Sequence, residues 1–119
     1  MHLPSLALAL TISLVLGACA EEPLPQQPIR RDNCLRNVQL DRLQEQLKQC
    51  DDVVAAFPKD PAPLNDRYLL HSLAGNDAAA CADLKKALRL AKTLPAKRLD
   101  AQLQSDLEVR KDLCNLPDG

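Results

Sequence analysis

Aromatic residues are nearly missing from this 119-residue chain, which has one Tyr, one Phe and no Trp. Base-stacking platforms, aromatic cages and sugar-binding faces are built from such rings, so these functions are excluded. Glycine is equally scarce: Gly17, Gly75 and Gly119 are all there are, and none belongs to a loop that cradles phosphate. No run of strand length alternates between apolar and polar residues. Neither sign of charge dominates, with 15 Lys+Arg against 16 Asp+Glu and a net charge of −1. That balance excludes the basic stripe of a nucleic-acid-binding protein and the polybasic patch of a membrane-surface protein. No two cysteines have close metal-ligand spacing, and His71 is far from each in sequence, so neither a metal nor a cofactor is expected.

What is present favours helix. Leu, Ala, Gln, Asp and Lys are abundant, β-branched residues are few, and the length suits one modest domain. Asp41 with Gln44 three residues later forms a capping box for a first long helix, whose apolar stripe is Leu43, Leu47, Cys50, Val54 and Phe57, and which Pro58 ends. A short helical turn precedes it around Cys34. Asp60 is the N-cap of the next helix and Pro61 its first residue, with Gly75 at the C-cap. Asn76 or Asp77 opens a third helix ending near Lys92, and Pro95 closes the loop that follows. Asp100 opens the last helix, with Leu103, Leu107 and Cys114. The fold class expected is all-α.

The first 18 residues differ sharply from the rest, because every charged residue lies after position 18. Leu6 to Leu16 form an apolar run too short to span a bilayer as an ordinary transmembrane helix, which makes residues 1–18 a signal peptide. Its first five residues carry no Lys or Arg, where such leaders usually have one. Leu16-Gly17-Ala18-Cys19 resembles the lipobox of bacterial lipoproteins, a leucine and two small residues before the cysteine that accepts diacylglycerol and acyl chains of the palmitate class. The alternative is an ordinary signal peptide cleaved beside Cys19. The lipoprotein resemblance implies lipid attachment at Cys19 and, with Ala20 following, an outer-membrane location facing the periplasm. Residues 19–32, rich in Pro and Gln, are then a lipid-anchored tether able to reach about 40 Å from the bilayer when extended. Residues 33–119 form the folded domain.

Export places the other four cysteines, Cys34, Cys50, Cys81 and Cys114, in an oxidising compartment, where two disulfides are expected in place of four buried thiols. Three connectivities are possible. Cys34–Cys50 and Cys81–Cys114 are favoured, since the first ties the opening segment to the first long helix. The second joins the start of the third helix to the end of an antiparallel fourth.

Phe57-Pro58-Lys59-Asp60-Pro61, Leu64, Leu73-Ala74-Gly75-Asn76-Asp77, Ala80, Leu84 and Ala87-Leu88 resemble one tetratricopeptide repeat (TPR), a 34-residue helix pair, over roughly residues 58–92. Tyr68 departs from the pattern, standing where the family prefers Gly or Ala. The resemblance implies a small right-handed stack of antiparallel helix pairs, stapled by the disulfides because one complete repeat gives a thin core. It also implies a ligand groove lined by Asn65, Leu69 and Ser72.

No catalytic residue is assigned. His71 reads as a surface or half-buried helix histidine, Asp51 and Asp52 as a solvated face, and Asp60 as a cap, while Ser72 and Ser105 have no partnering base or oxyanion motif. The expected function is a membrane-tethered periplasmic lipoprotein acting as a non-enzymatic interaction or scaffold module for an envelope protein or peptide. A lipoprotein of the inhibitor or immunity type, blocking an enzyme or toxin, is the alternative.

Overall fold

The structure is a computed structural model that describes residues 27–117, together with His2 and Gly17. The expected cleavage site and Cys19 lie outside the described residues. Four α-helices and no strand occur among them: α1 (Leu43–Ala56), α2 (Pro61–Leu73), α3 (Asp77–Lys92) and α4 (Ala101–Leu113). Three single 3-10 turns accompany these helices, at Asn33–Leu35, Leu40–Arg42 and Ala96–Arg98. No helix among the described residues is long and apolar enough to cross a membrane.

Local signals set most of the helix ends. Asp60 accepts a hydrogen bond from the Ala62 amide at 2.9 Å, Asn76 from the Ala79 amide at 3.1 Å, and Asp100 from the Gln102 amide at 2.7 Å. Each satisfies one of the donors that a helix start leaves unpaired. After α2 the chain turns through Gly75 at φ 76°, with the Asn76 amide bonded to the His71 carbonyl and the Gly75 amide to that of Ser72. This is a Schellman closure. The same pattern ends α4, with Asn115 at φ 53° in place of glycine.

The start of α1 departs from expectation. Asp41 is not its N-cap; it lies inside the 3-10 turn Leu40–Arg42, and Arg42 occupies the cap position without a side-chain hydrogen bond. The Arg42 amide bonds to the Gln39 carbonyl at 3.0 Å, so a tighter turn leads into the helix in place of the expected capping box. The buried stripe of α1 is also rotated slightly, with Val53 buried and Val54 half-buried.

Helix α2 lies between the two apolar clusters of the domain. Leu64 and Tyr68 pack with Ala80, Leu84 and Ala87 of α3 and with Leu103 and Leu107 of α4. Leu70 packs with Leu47 and Val53 of α1 and with Cys34 and Cys50. The three-residue connection after Leu73 folds α3 back on α2 as a helical hairpin. Across that hairpin Arg67 clasps Asp83 with two hydrogen bonds, 2.8 and 2.7 Å long, and reaches Asp51 of α1 at 3.0 Å. Asp83 is 7 % exposed, so its charge is tolerated only because this fork pairs it. His71 Nε2 also lies 3.5 Å from Asp83.

The disulfides join Cys34 to Cys50 and Cys81 to Cys114, the favoured connectivity. Their settings differ. Cys34 and Cys50 are fully buried members of the smaller cluster, whereas Cys81 and Cys114 are half-buried against the edge of the larger one. Buried Gln46 supports the first by donating to the Cys34 carbonyl at 2.6 Å. The sequence separations are 16 and 33 residues, for which loop closure contributes roughly 3 to 4 kcal/mol each.

Helix α4 is the element that depends most on its cross-link, since Val109 and Leu113 face solvent and only Leu103 and Leu107 are buried. Cys81→Ser with Cys114→Ser is expected to lower stability to urea by about 3 kcal/mol. Amide exchange should rise more in α4 than in α1 or α2. Uniform loss of protection across the four helices would contradict this. Arg67→Ala leaves Asp83 with only His71 beside it and is expected to cost about 2 kcal/mol in the same assay, with a smaller loss for Arg67→Ala in an Asp83→Asn background.

Candidate functional site

A cleft of about 580 Å³ opens between the first turns of α2 and the start of α4. One wall is the segment Arg30 to Asp32. Ala62, Asn65 and Asp66 come from α2, and Asp100, Gln102, Leu103 and Asp106 from α4 and its cap. The helix starts bring these side chains together: Asp60-Pro61 and Asp100-Ala101 begin α2 and α4, and residues one turn in face each other across the gap.

The segment before Asn33, expected to belong to the tether, is held against the domain at its end. Arg31 forms a two-pronged ion pair with Asp60, one prong at 3.1 Å between Nη2 and Oδ1. The Asp60 hydrogen bond raises the Arg31 pKa above its ordinary value, against the opposing effect of burial. Asp60 therefore has two tasks, capping α2 and mooring residue 31.

The floor is a network between α2 and α4. Asn65 donates to Asp106 at 3.1 Å, and Gln102 donates to the other oxygen of that carboxylate at 2.8 Å. Arg110 donates to both the backbone and side-chain oxygens of Asn65, at 2.8 and 2.6 Å. Its guanidinium lies 4.7 Å from the centroid of the Tyr68 ring, a cation–π contact. Tyr68, the departure from the TPR pattern, is buried and gives Arg110 a surface to cover.

Asp66 differs from its neighbours. Burial pushes its pKa up to about 6, and nearby Asp106 and Asp60 add to that rise while Arg110 and Arg31 oppose it. Asp106 and Asp100 are already engaged as acceptors by Asn65, Gln102 and a backbone amide. The cleft thus presents one desolvated carboxyl that changes charge close to neutrality, beside arginines and amides bound to one another. It contains no nucleophile with an adjacent base, and among the described residues no three His, Cys, Asp or Glu side chains converge as metal ligands.

The three residues of the expected groove are placed differently from one another. Asn65 is buried under α4 and bonded to Asp106 and Arg110, while Leu69 and Ser72 are half-buried further along α2. Sequence reading did not single out Asp66, Asp106, Arg110 or Arg31. The contacts that tie Arg31 to Asp60, Asp106 to Asn65 and Arg110 to Asn65 span 29 to 45 residues, and no local pattern signals such pairs. Compared with protein-family models, curated proteins and solved structures, the chain matches none of them.

The raised pKa of Asp66 has a definite sign. A carboxyl whose pKa is higher in the folded state than in the unfolded chain adds stability at pH below about 4 and withdraws it as pH rises through about 6. Asp66→Asn is therefore expected to stabilise the domain at pH 7.5 by on the order of 1 kcal/mol, allowing for solvent screening. The gain should vanish at pH 4. Chemical denaturation of both proteins at the two pH values checks it, and a pH-independent difference would contradict it.

Proposed function

We propose that the chain is an exported bacterial lipoprotein, anchored through Cys19 to the outer membrane and facing the periplasm, whose helical domain is a non-enzymatic module that binds an envelope protein or peptide. The observation that carries this reading is the pair of disulfides within the helical domain, Cys34–Cys50 and Cys81–Cys114. Such bonds persist in oxidising compartments, in keeping with the lipobox-like Leu16-Gly17-Ala18-Cys19. A stack of helix pairs of the TPR kind is part of the proposal. It is supported by the α2–α3 hairpin, in which Leu64, Ala80, Leu84 and Ala87 of the repeat pattern are all buried. The cleft between α2 and α4, with its internally bonded polar floor, suits recognition better than chemistry.

Mass spectrometry of the native protein tests the anchor. The expected species begins at Cys19 and carries the mass of a diacylglyceryl group and an amide-linked acyl chain; an unmodified terminus, or one beginning at Met1, rules the anchor out. Cross-linking in intact cells, followed by capture from detergent-solubilised envelope, tests the module. Stable recovery of subunits of an envelope assembly is expected. Recovery of a single hydrolase or toxin would replace the scaffold reading with that of an inhibitor.

A further inference from the structure

A second hollow, of about 440 Å³, adjoins the polar cleft and shares Arg31 and Leu103 with it. Its chemistry is different. Phe57, Pro61, Leu94, Leu99 and Leu103 give it an apolar lining, and its charged rim includes Lys59 and Arg98. Phe57, the only phenylalanine of the chain, is half-buried there. Lys59 and Arg98 are exposed and form no ion pair among the described residues, whereas Arg31 is neutralised by Asp60. The hollow thus has an excess of positive charge, although the chain as a whole is slightly negative. The neighbouring cleft has the opposite sign, with Asp66, Asp100 and Asp106 on its walls.

We propose that this groove, between the α1–α2 corner and the Leu94–Leu99 connection, binds an extended peptide segment of a partner protein that presents an apolar side chain flanked by carboxylates. The inference rests on the reading of the domain as a binding module and adds the chemistry of its partner. The apolar side chain enters between Phe57 and Leu99 and removes both from water. The flanking carboxylates meet Lys59 and Arg98, and the acidic walls beyond Arg31 repel the same peptide from the other hollow. Opposite charge in adjoining hollows selects an acidic partner over a basic one. Pro58 and Pro61 fix two backbone dihedrals of the corner, so little freedom is lost on binding.

The test is a titration of the isotope-labelled mature chain with two capped pentapeptides, one with leucine between two glutamates and one with leucine between two lysines. Saturable amide shifts centred on Phe57, Lys59 and Leu99 are expected with the glutamate peptide, with Kd below about 1 mM. The lysine peptide should bind at least about tenfold more weakly. Lys59→Glu with Arg98→Glu should reverse the preference, and Lys59→Gln with Arg98→Gln should weaken the glutamate peptide alone. Both pairs are exposed, and the amide spectrum shows directly whether each variant folds. Equal affinity for the two peptides, shifts confined to other faces, or no saturable shift overturns the proposal. Shifts that follow protein concentration without peptide also overturn it, making a second copy the occupant. An envelope partner captured equally by the wild type and the doubly reversed variant rejects the groove while leaving the module reading intact. Failure of the wild type to hold any partner rejects the module reading, and the peptide titration then decides the groove by itself.

Discussion

Cys34 and Cys50 have no solvent exposure and lie among Leu47, Val53 and Leu70, so a covalent bond occupies a site that a larger domain would fill with bulky side chains. The rest of the molecule follows from that substitution. With one Phe and one Tyr, the chain cannot give four helices a deep core. It builds two shallow clusters and makes α2 serve both, with Leu64 and Tyr68 on one side and Leu70 on the other. The cluster around Leu70 closes on the buried disulfide. That around Leu64 and Tyr68 closes on small residues, Ala80 and Ala87, and is held at its rim by Cys81–Cys114.

Polar contacts complete what apolar contacts leave thin. Arg67 links α2 to Asp83 of α3 and Asp51 of α1, and Arg110 links α4 to Asn65 of α2 while covering Tyr68. Arg67 uses all three nitrogens of a flat guanidinium, a geometry that lysine cannot reproduce, whereas Arg110 bonds through Nη1 and lays its plane near the Tyr68 ring. Within the described residues every buried side-chain nitrogen and oxygen has a partner, as a domain with so little hydrophobic reserve requires.

Some of this was legible in the sequence and some was not, for physical reasons. The starts of α2, α3 and α4 were readable because Asp60, Asn76 and Asp100 bond to amides two or three residues ahead. Gly75 was readable because its positive φ is a local demand. The start of α1 differs from the expectation, because a 3-10 turn leads into the helix in place of a side-chain cap and leaves no distinct signature. At the candidate sites, helix order favoured the observed cysteine pairing among three possible ones, but nothing local signalled the polar cleft. Asp66 gains its unusual proton affinity chiefly from being covered, with Asp106 and Asp60 adding to it, and Arg110 meets Asn65 only because α4 crosses α2. The same crossing places Asn65 beneath α4, leaving Leu69 and Ser72 as the less covered part of the expected groove.

The mooring of residue 31 has a mechanical consequence. Tension applied to the chain ahead of Arg31 arrives first at Asp60, an exchangeable salt link that also secures the opening turn of α2. If that link slips, the load travels only three residues before it meets Cys34, which is welded to the middle of α1. The cross-link then carries the load past residues 35–49, which stay unstretched, and delivers it directly to Cys50 within the smaller cluster.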